Sequence, residues 1–275
     1  MTIIYVLADD YAGYESIYHG QHGASYLIEH NGTRVLFDTG QDGHLVLKVM
    51  EKLGISPKSI DYIFLSHCHY DHIGGLLDIL KAVGRKVPII AHPEIFRKHF
   101  ALKPRLRIVG IPFSRDQIEK YGELVLVREP FKISEEIFST GEIRNRLDFE
   151  KASLEVYTVE NGLLKRDKLL DDMSLVIKGH NGLIIVSGCS HAGIVSTIKH
   201  AIKITGESKV KAVIGGFHLI SASDSKIERT ASELKALGIE KIYAGHCTGF
   251  RAEAKLYEVF KESFRKIHVG MKIVI

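Results

Sequence analysis

The chain of 275 residues contains no tryptophan, only three cysteines and six prolines. Asn and Gln together number seven: Asn31, Asn145, Asn161, Asn181, Gln21, Gln41 and Gln117. Three cysteines, an odd number, exclude a disulfide framework as the main stabiliser. The scarcity of amide side chains leans towards a thermophilic source. No apolar run is long enough to span a bilayer. The opening Met-Thr-Ile-Ile-Tyr-Val-Leu has no basic n-region or cleavage site, so no signal peptide and a cytoplasmic protein are expected. Neither sign of charge dominates: 37 Lys and Arg face 33 Asp and Glu, for a net +4. The one basic cluster, Lys103-Pro-Arg-Leu-Arg107, reads as a solvated loop, and no nucleic-acid partner is expected. There is no Gly-x-Ser-x-Gly elbow and no phosphate-binding P-loop, which leaves serine covalent catalysis and nucleotide triphosphate chemistry without support. Linkers and low-complexity segments are also missing, so residues 1–275 read as one domain, with a less regular insert near 95–170.

What the chain does have is histidine, 15 in all. Between residues 66 and 73 it reads Ser-His-Cys-His-Tyr-Asp-His-Ile, directly after the apolar run Ile60-Asp-Tyr-Ile-Phe-Leu65. In an extended segment side chains alternate, so His67 and His69 face the same way and Cys68 faces the other. Two imidazoles aimed at one point suit a divalent metal. Asp71 and His72 follow where the chain must turn before the helical periodicity of Ile73 to Val83, placed to face a second metal. A histidine-rich surface loop is the alternative, and it fits poorly between a buried strand and an amphipathic helix.

Two stretches resemble each other. Ser25 to Asp38 and Ser174 to Ser187 each read as strand, Asn-Gly, strand, which predicts type I′ hairpins at Asn31-Gly32 and Asn181-Gly182. Each is followed by a helix and then by a strand ending in histidine: His67 lies 36 residues beyond Asn31, and His218 lies 37 beyond Asn181. Matched spacing predicts two related α/β halves packed face to face. Helices are expected over His44–Leu53, ended by Gly54, and over 193–204, 226–237 and 250–264. Ser114-Arg-Asp-Gln117 has the spacing of a capping box.

The His-x-His-x-Asp-His run closely resembles the signature of the metallo-β-lactamase superfamily of metal-dependent hydrolases. Val35-Leu-Phe-Asp-Thr-Gly40 resembles the turn preceding that signature, and Cys189-Ser-His-Ala-Gly193, Gly215-Gly-Phe-His218 and Gly245-His-Cys-Thr-Gly249 follow in the family's order. With Asp171-Asp-Met-Ser-Leu175, these segments resemble one mainly prokaryotic subgroup. Some of its members are assigned as the dihydropterin ribofuranosyl-aminobenzene phosphate synthase of methanopterin biosynthesis. The resemblance implies a four-layer αββα sandwich. It implies a first metal on His67, His69 and a later histidine, and a second on Asp71, His72 and a histidine near the C-terminus. His246 fits that last position. His191 is chosen for the first site, with Asp171 and Asp172 as rivals.

Many family members bridge both metals with an aspartate where this chain has Ser187-Gly-Cys189, so the second metal is expected to be held loosely. Cys189 is the candidate thiolate, whereas Cys68 and Cys247 should point away from their neighbouring histidines. Asp38 is expected to orient a ligand histidine. His218 is a substrate-binding or acid–base candidate or a core histidine, and His92 could face the cleft. Arg144 and Arg107 are candidates to hold phosphate, and the 95–170 segment to supply a pocket wall. The metal is expected to be zinc, one or two ions, with manganese or iron as alternatives. The leading expectation is a hydrolase acting through a metal-bound water on a phosphoester, ester or lactone, with Asp71 as the proton acceptor. A transferase joining a pterin to a ribofuranosyl-aminobenzene phosphate is the alternative, and a non-catalytic metal-binding or iron redox protein the third. The expected partner is a small-molecule substrate, and a homodimer is compatible with the sequence.

Overall fold

The computed structural model describes residues 1–151 and 155–275. Its frame is two large mixed sheets lying face to face. One carries its strands in the order Lys272–Val274, Thr2–Ala8, Ser25–His30, Thr33–Phe37, Tyr62–Phe64, Pro88–Ala91 and Glu123–Leu126. The other runs Phe264–Lys266, Lys241–Ala244, Val210–Gly215, Gly182–Ser187, Ser174–Gly179, Ile137–Ser139 and Phe131–Lys132. In both, an antiparallel hairpin is followed by three parallel additions, so the two halves repeat one pattern.

The central parallel strands are largely buried and mostly apolar, while the edge strands Glu123–Leu126 and Phe264–Lys266 carry exposed charged residues. Tyr26, Phe37 and Phe64 of the first sheet meet Leu175, Ile184 and Ile214 of the second, and Phe37 and Phe64 stack with centroids 5.2 Å apart. The first sheet's outer face packs under the helices Gly43–Lys52 and Leu76–Val83 through Val46, Met50, Ile79 and Leu80. The second packs under Ile194–Thr205, Asp224–Ala236 and Phe250–Phe260 through Ile198, Leu234 and Leu256. This is the expected αββα sandwich. A third sheet of four short strands is built from Phe100–Ala101, Arg107–Ile108, Val156–Glu160 and Leu163–Arg166. Among the described residues, no helix is long and apolar enough to cross a membrane.

Local chemistry sets the boundaries. Asp42 accepts hydrogen bonds from the backbone of His44 and Leu45 to start its helix, and Gly54, at φ 70, turns the chain out after it. The capping box at Ser114 and Gln117 forms in both directions. The first hairpin turns on Asn31 and Gly32, both at positive φ. The second differs from expectation: its register pairs Gly179 with Gly182, so His180 and Asn181 form the turn. Gly182 is drawn into the strand because Leu183 donates to the Lys209 carbonyl, which a Cβ on Gly182 would meet at 2.7 Å. The C-terminal helix also stops earlier than expected, at Phe260, because Phe264–Lys266 joins the second sheet.

Candidate metal centre

All the parallel strands release the chain at one edge of the sandwich, the usual place for a site in such sheets. Asp38 follows Thr33–Phe37, the histidine run follows Tyr62–Phe64, Cys189 and His191 follow Gly182–Ser187, His218 follows Val210–Gly215, and His246 follows Lys241–Ala244. The expected turn at Asp71 and His72 is itself helical, a single turn from Tyr70 to Ile73, with His69 as its extended cap.

Two groups of donor atoms result. In the first, His67 Nε2 lies 3.1 Å from His69 Nδ1 and 3.2 Å from His191 Nε2. In the second, His72 Nε2 lies 3.3 Å from His246 Nε2, and Asp71 Oδ2 lies 3.5 Å from the former and 3.4 Å from the latter. Cys189 Sγ stands 3.1 Å from His72 Nε2 and close to the donor atoms of His67 and His191, so it faces both groups. All six residues expected as ligands therefore converge.

Asp38 explains which nitrogens point inward. The Nδ1–H of His72 donates to it at 2.7 Å, and Ser66 donates its hydroxyl at 2.7 Å while receiving the Nδ1–H of His67 at 2.8 Å. Both rings are thereby held with the Nε2 lone pair turned into the site, the arrangement metal-binding histidines use. Gly188 leaves room for this network, since a Cβ there would sit 2.3 Å from Ser66 Oγ. Burial pushes His69 down to about 3 and holds His67 and His191 well below the usual imidazole range, which favours the neutral, lone-pair form. Burial would depress His246 too, but the neighbouring Cys247, Asp10 and Asp71 raise it. The other ring nitrogens of His69 and His191 are buried without hydrogen-bond partners. Packed neutral imidazoles beside a carboxylate and a thiol form a donor set that fits a pair of borderline divalent ions such as zinc.

Other expectations resolve differently. Asp171 and Asp172 are not among the converging donors: they accept the backbone N–H of Cys68 and of Ala192, fixing the loops that carry His69 and His191. Burial raises both carboxyls to about 6. Cys68 packs into the layer beneath the first pair of helices. Cys247, expected to point away, lines the cleft, because His246–Thr248 is a 3₁₀ turn in which alternation does not hold. His92 is buried against Glu142 and is not part of the cleft wall. Arg144 is likewise absent from that wall; Glu142 and Glu129 occupy its guanidinium on an exposed surface. Arg107 and Lys103 do line the cleft, with Lys103 paired to Glu155 at 2.7 Å.

The cleft holds about 380 Å³ and passes between this donor cluster and the third sheet, whose Ala101 and Val156 form an apolar wall with Val109. His218 is half-buried there, its ring 4.5 Å from that of His191. His22 and Asp10, which lie outside the sequence motifs, also line it.

A family model of the metallo-β-lactamase superfamily matches residues 20–152. The chain is 48% identical over 277 residues to 7,8-dihydropterin-6-methyl-4-(β-D-ribofuranosyl)-aminobenzene-5′-phosphate synthase of Methanocaldococcus jannaschii, covering 97% of this chain and 94% of that one. Among solved structures, Tm1679, described as a metal-dependent hydrolase of the β-lactamase superfamily, superposes with a TM-score of 0.83 at 28% identity, over 100% of this chain and 99% of that one. YhfI of Bacillus subtilis, a metallo-β-lactamase fold protein, matches at 0.62 and 12% identity over the full length of both, which shows the fold alone. Sequence and architecture agree: the chain belongs to the metallo-β-lactamase superfamily.

Proposed function

We propose that the chain is a metal-dependent transferase that joins a pterin to a ribofuranosyl-aminobenzene phosphate. The observation that carries this reading is the 48% identity, over 97% of the chain, to a synthase named for that product. In such a reaction the aromatic amine nitrogen forms a bond to the pterin's 6-methyl carbon. The bond from that carbon to an oxygen leaving group breaks, and the amine loses a proton.

His67, His69 and His191 would hold one metal, and Asp71, His72 and His246 the other. Metal there would supply Lewis acidity to the departing oxygen. The chain's own groups do the rest. Ala101, Val109 and Val156 offer a flat apolar wall for an aromatic ring. Arg107 offers a cationic donor for the 5′-phosphate in the cleft. Asp71, facing the cleft, would take the amine proton.

Hydrolysis is the second reading, favoured by the likeness to Tm1679, because the same donor set would serve a water nucleophile. Incubating the metal-loaded protein with both half-substrates and following product mass separates the two. Hydrolysis of phosphodiester, lactone or ester substrates without any coupled product would overturn the transferase. In the coupling assay Arg107→Ala should raise KM for the phosphate substrate about 10–100-fold, the worth of one charge-assisted contact. Arg144→Ala should leave it unchanged.

A further inference from the structure

His22 and Asp10 lie outside the motifs that define the site, on the loop between the strands Thr2–Ala8 and Ser25–His30. We infer that His22 is a ligand of the second metal, closing a four-donor cage with Asp71, His72 and His246, and that Asp10 positions His22 and His246 together. This rests on the metal reading of the site proposed above.

Donors about 2.0–2.1 Å from a tetrahedral ion stand roughly 3.3–3.4 Å from one another. Asp71 Oδ2 lies 3.5 Å from His72 Nε2, 3.4 Å from His246 Nε2 and 3.6 Å from His22 Nε2. The His72 and His246 Nε2 atoms are 3.3 Å apart. Four of the six donor pairs thus stand near tetrahedral spacing, and the rings of His22 and His246 lie side by side with centroids 5.3 Å apart.

Orientation agrees with spacing. Asp10 uses both oxygens: Oδ1 accepts the Nδ1–H of His22 at 2.9 Å, and Oδ2 accepts that of His246 in a short hydrogen bond. Each ring is thus left with a bare Nε2 lone pair, and both lone pairs lie beside the same Asp71 oxygen. Asp10 does for this pair what Asp38 does for His67 and His72.

The loop is clamped on either side of His22. Gln21 receives the Asp42 backbone N–H at 2.7 Å and donates its side-chain amide to the Asp42 carbonyl, while its own N–H binds the Asp9 carbonyl. Gly23, at φ +115, lies so close to Asp71 that a Cβ would come within 1.7 Å of the Asp71 carbonyl oxygen. The position left without a bridging aspartate at Ser187-Gly-Cys189 is therefore matched by an extra imidazole. With His22 the second metal would have four protein ligands.

The test is titration of the full-length, metal-free protein with Zn²⁺ and Co²⁺, reading the stoichiometry and stepwise affinity against a chromophoric chelator. The d–d spectrum of the second cobalt is recorded alongside. His22→Ala should bind the first ion as the wild type does and the second at least about 10–100-fold more weakly. The second-cobalt spectrum should change, since its coordination number falls by one. Asp10→Asn should weaken the same step. His44→Ala, an exposed histidine outside the cleft, should change nothing. Circular dichroism checks folding, and His22→Asn, which keeps a small polar side chain without an imidazole, repeats the measurement if alanine unfolds the protein. Two ions bound by the wild type, with wild-type affinity and cobalt spectrum in His22→Ala, would discard His22 as a ligand and leave the metal reading standing. A wild type that binds no divalent ion would overturn both.

Discussion

Asp38 shows how much one buried carboxylate can do. It takes hydrogen bonds from His72, from the Ser66 hydroxyl and from the Ser66 backbone, each at 2.7 Å, and so sets the tautomer of one imidazole directly and of another through serine. Asp38→Ala should lower metal affinity about 10–100-fold, as losing a ligand-orienting group generally does; affinity within twofold of wild type would deny it that role. Asp71→Ala should abolish turnover and leave the thermal transition of the metal-free protein nearly unchanged, because its carboxylate faces the cleft and not the core. Activity surviving at the wild-type rate would remove Asp71 from the reaction.

Residues of this kind were legible in unequal measure. His67, His69, Asp71 and His72 announce themselves because they are contiguous and follow a buried strand. His246 does so through its bounding glycines. His22 and Asp10 carry no such signal: what places them is the close approach of Gly23 to Asp71, a tertiary contact between segments 48 residues apart. Arg144 misled because composition marks a cation but not the carboxylates that occupy it.

At the scale of elements, the helix Ile194–Thr205 follows directly on the His191 loop and begins with no side-chain cap of its own. Glu150, from a distant turn, supplies one. It accepts the backbone N–H groups of Val195 and Ser196 and the Ser196 hydroxyl, giving partners to donors that the first turn of the helix would otherwise leave unpaired. Glu150→Gln should cost about 1–3 kcal/mol. Burial raises the Glu150 carboxyl above its ordinary 4.5, so its stabilising contribution is whole below that pH and declines as pH rises through the folded-state value. Denaturant titrations of both proteins from pH 4 to 8 should show the gap narrowing upward; a gap that widens would contradict the assignment.

Helices and strands were mostly readable here because amphipathic period and capping residues act locally. The second hairpin was not, since its register is set by the carbonyl of Lys209, just before the neighbouring strand Val210–Gly215. The cleft wall was visible only as irregular sequence, because its strands are two to five residues long and find their partners across about 50 residues.

For the molecule as a whole, the division of donors matters most. One half gives His67, His69, Asp71 and His72, and the other gives Cys189, His191 and His246, so bound metal would tie the two sheets together at their shared edge. At free metal 1,000 times Kd each ion should add about 4 kcal/mol. Chelation should then lower Tm by something on the order of 10 °C per ion in a chain of this length. A melting point indifferent to chelator would mean the halves hold without it.

That same division has a consequence for the chain as it is being made. Translation delivers His72 well before His246, which lies 174 positions further on. At about 5–20 residues per second the gap is roughly 10–30 s. For most of that interval His67, His69, Asp71 and His72 are exposed with none of Cys189, His191 and His246 yet made. Any ion captured then is selected by abundance and raw affinity, an order that favours copper over zinc. Geometric choice begins only when the last histidine leaves the ribosome and the cage can close.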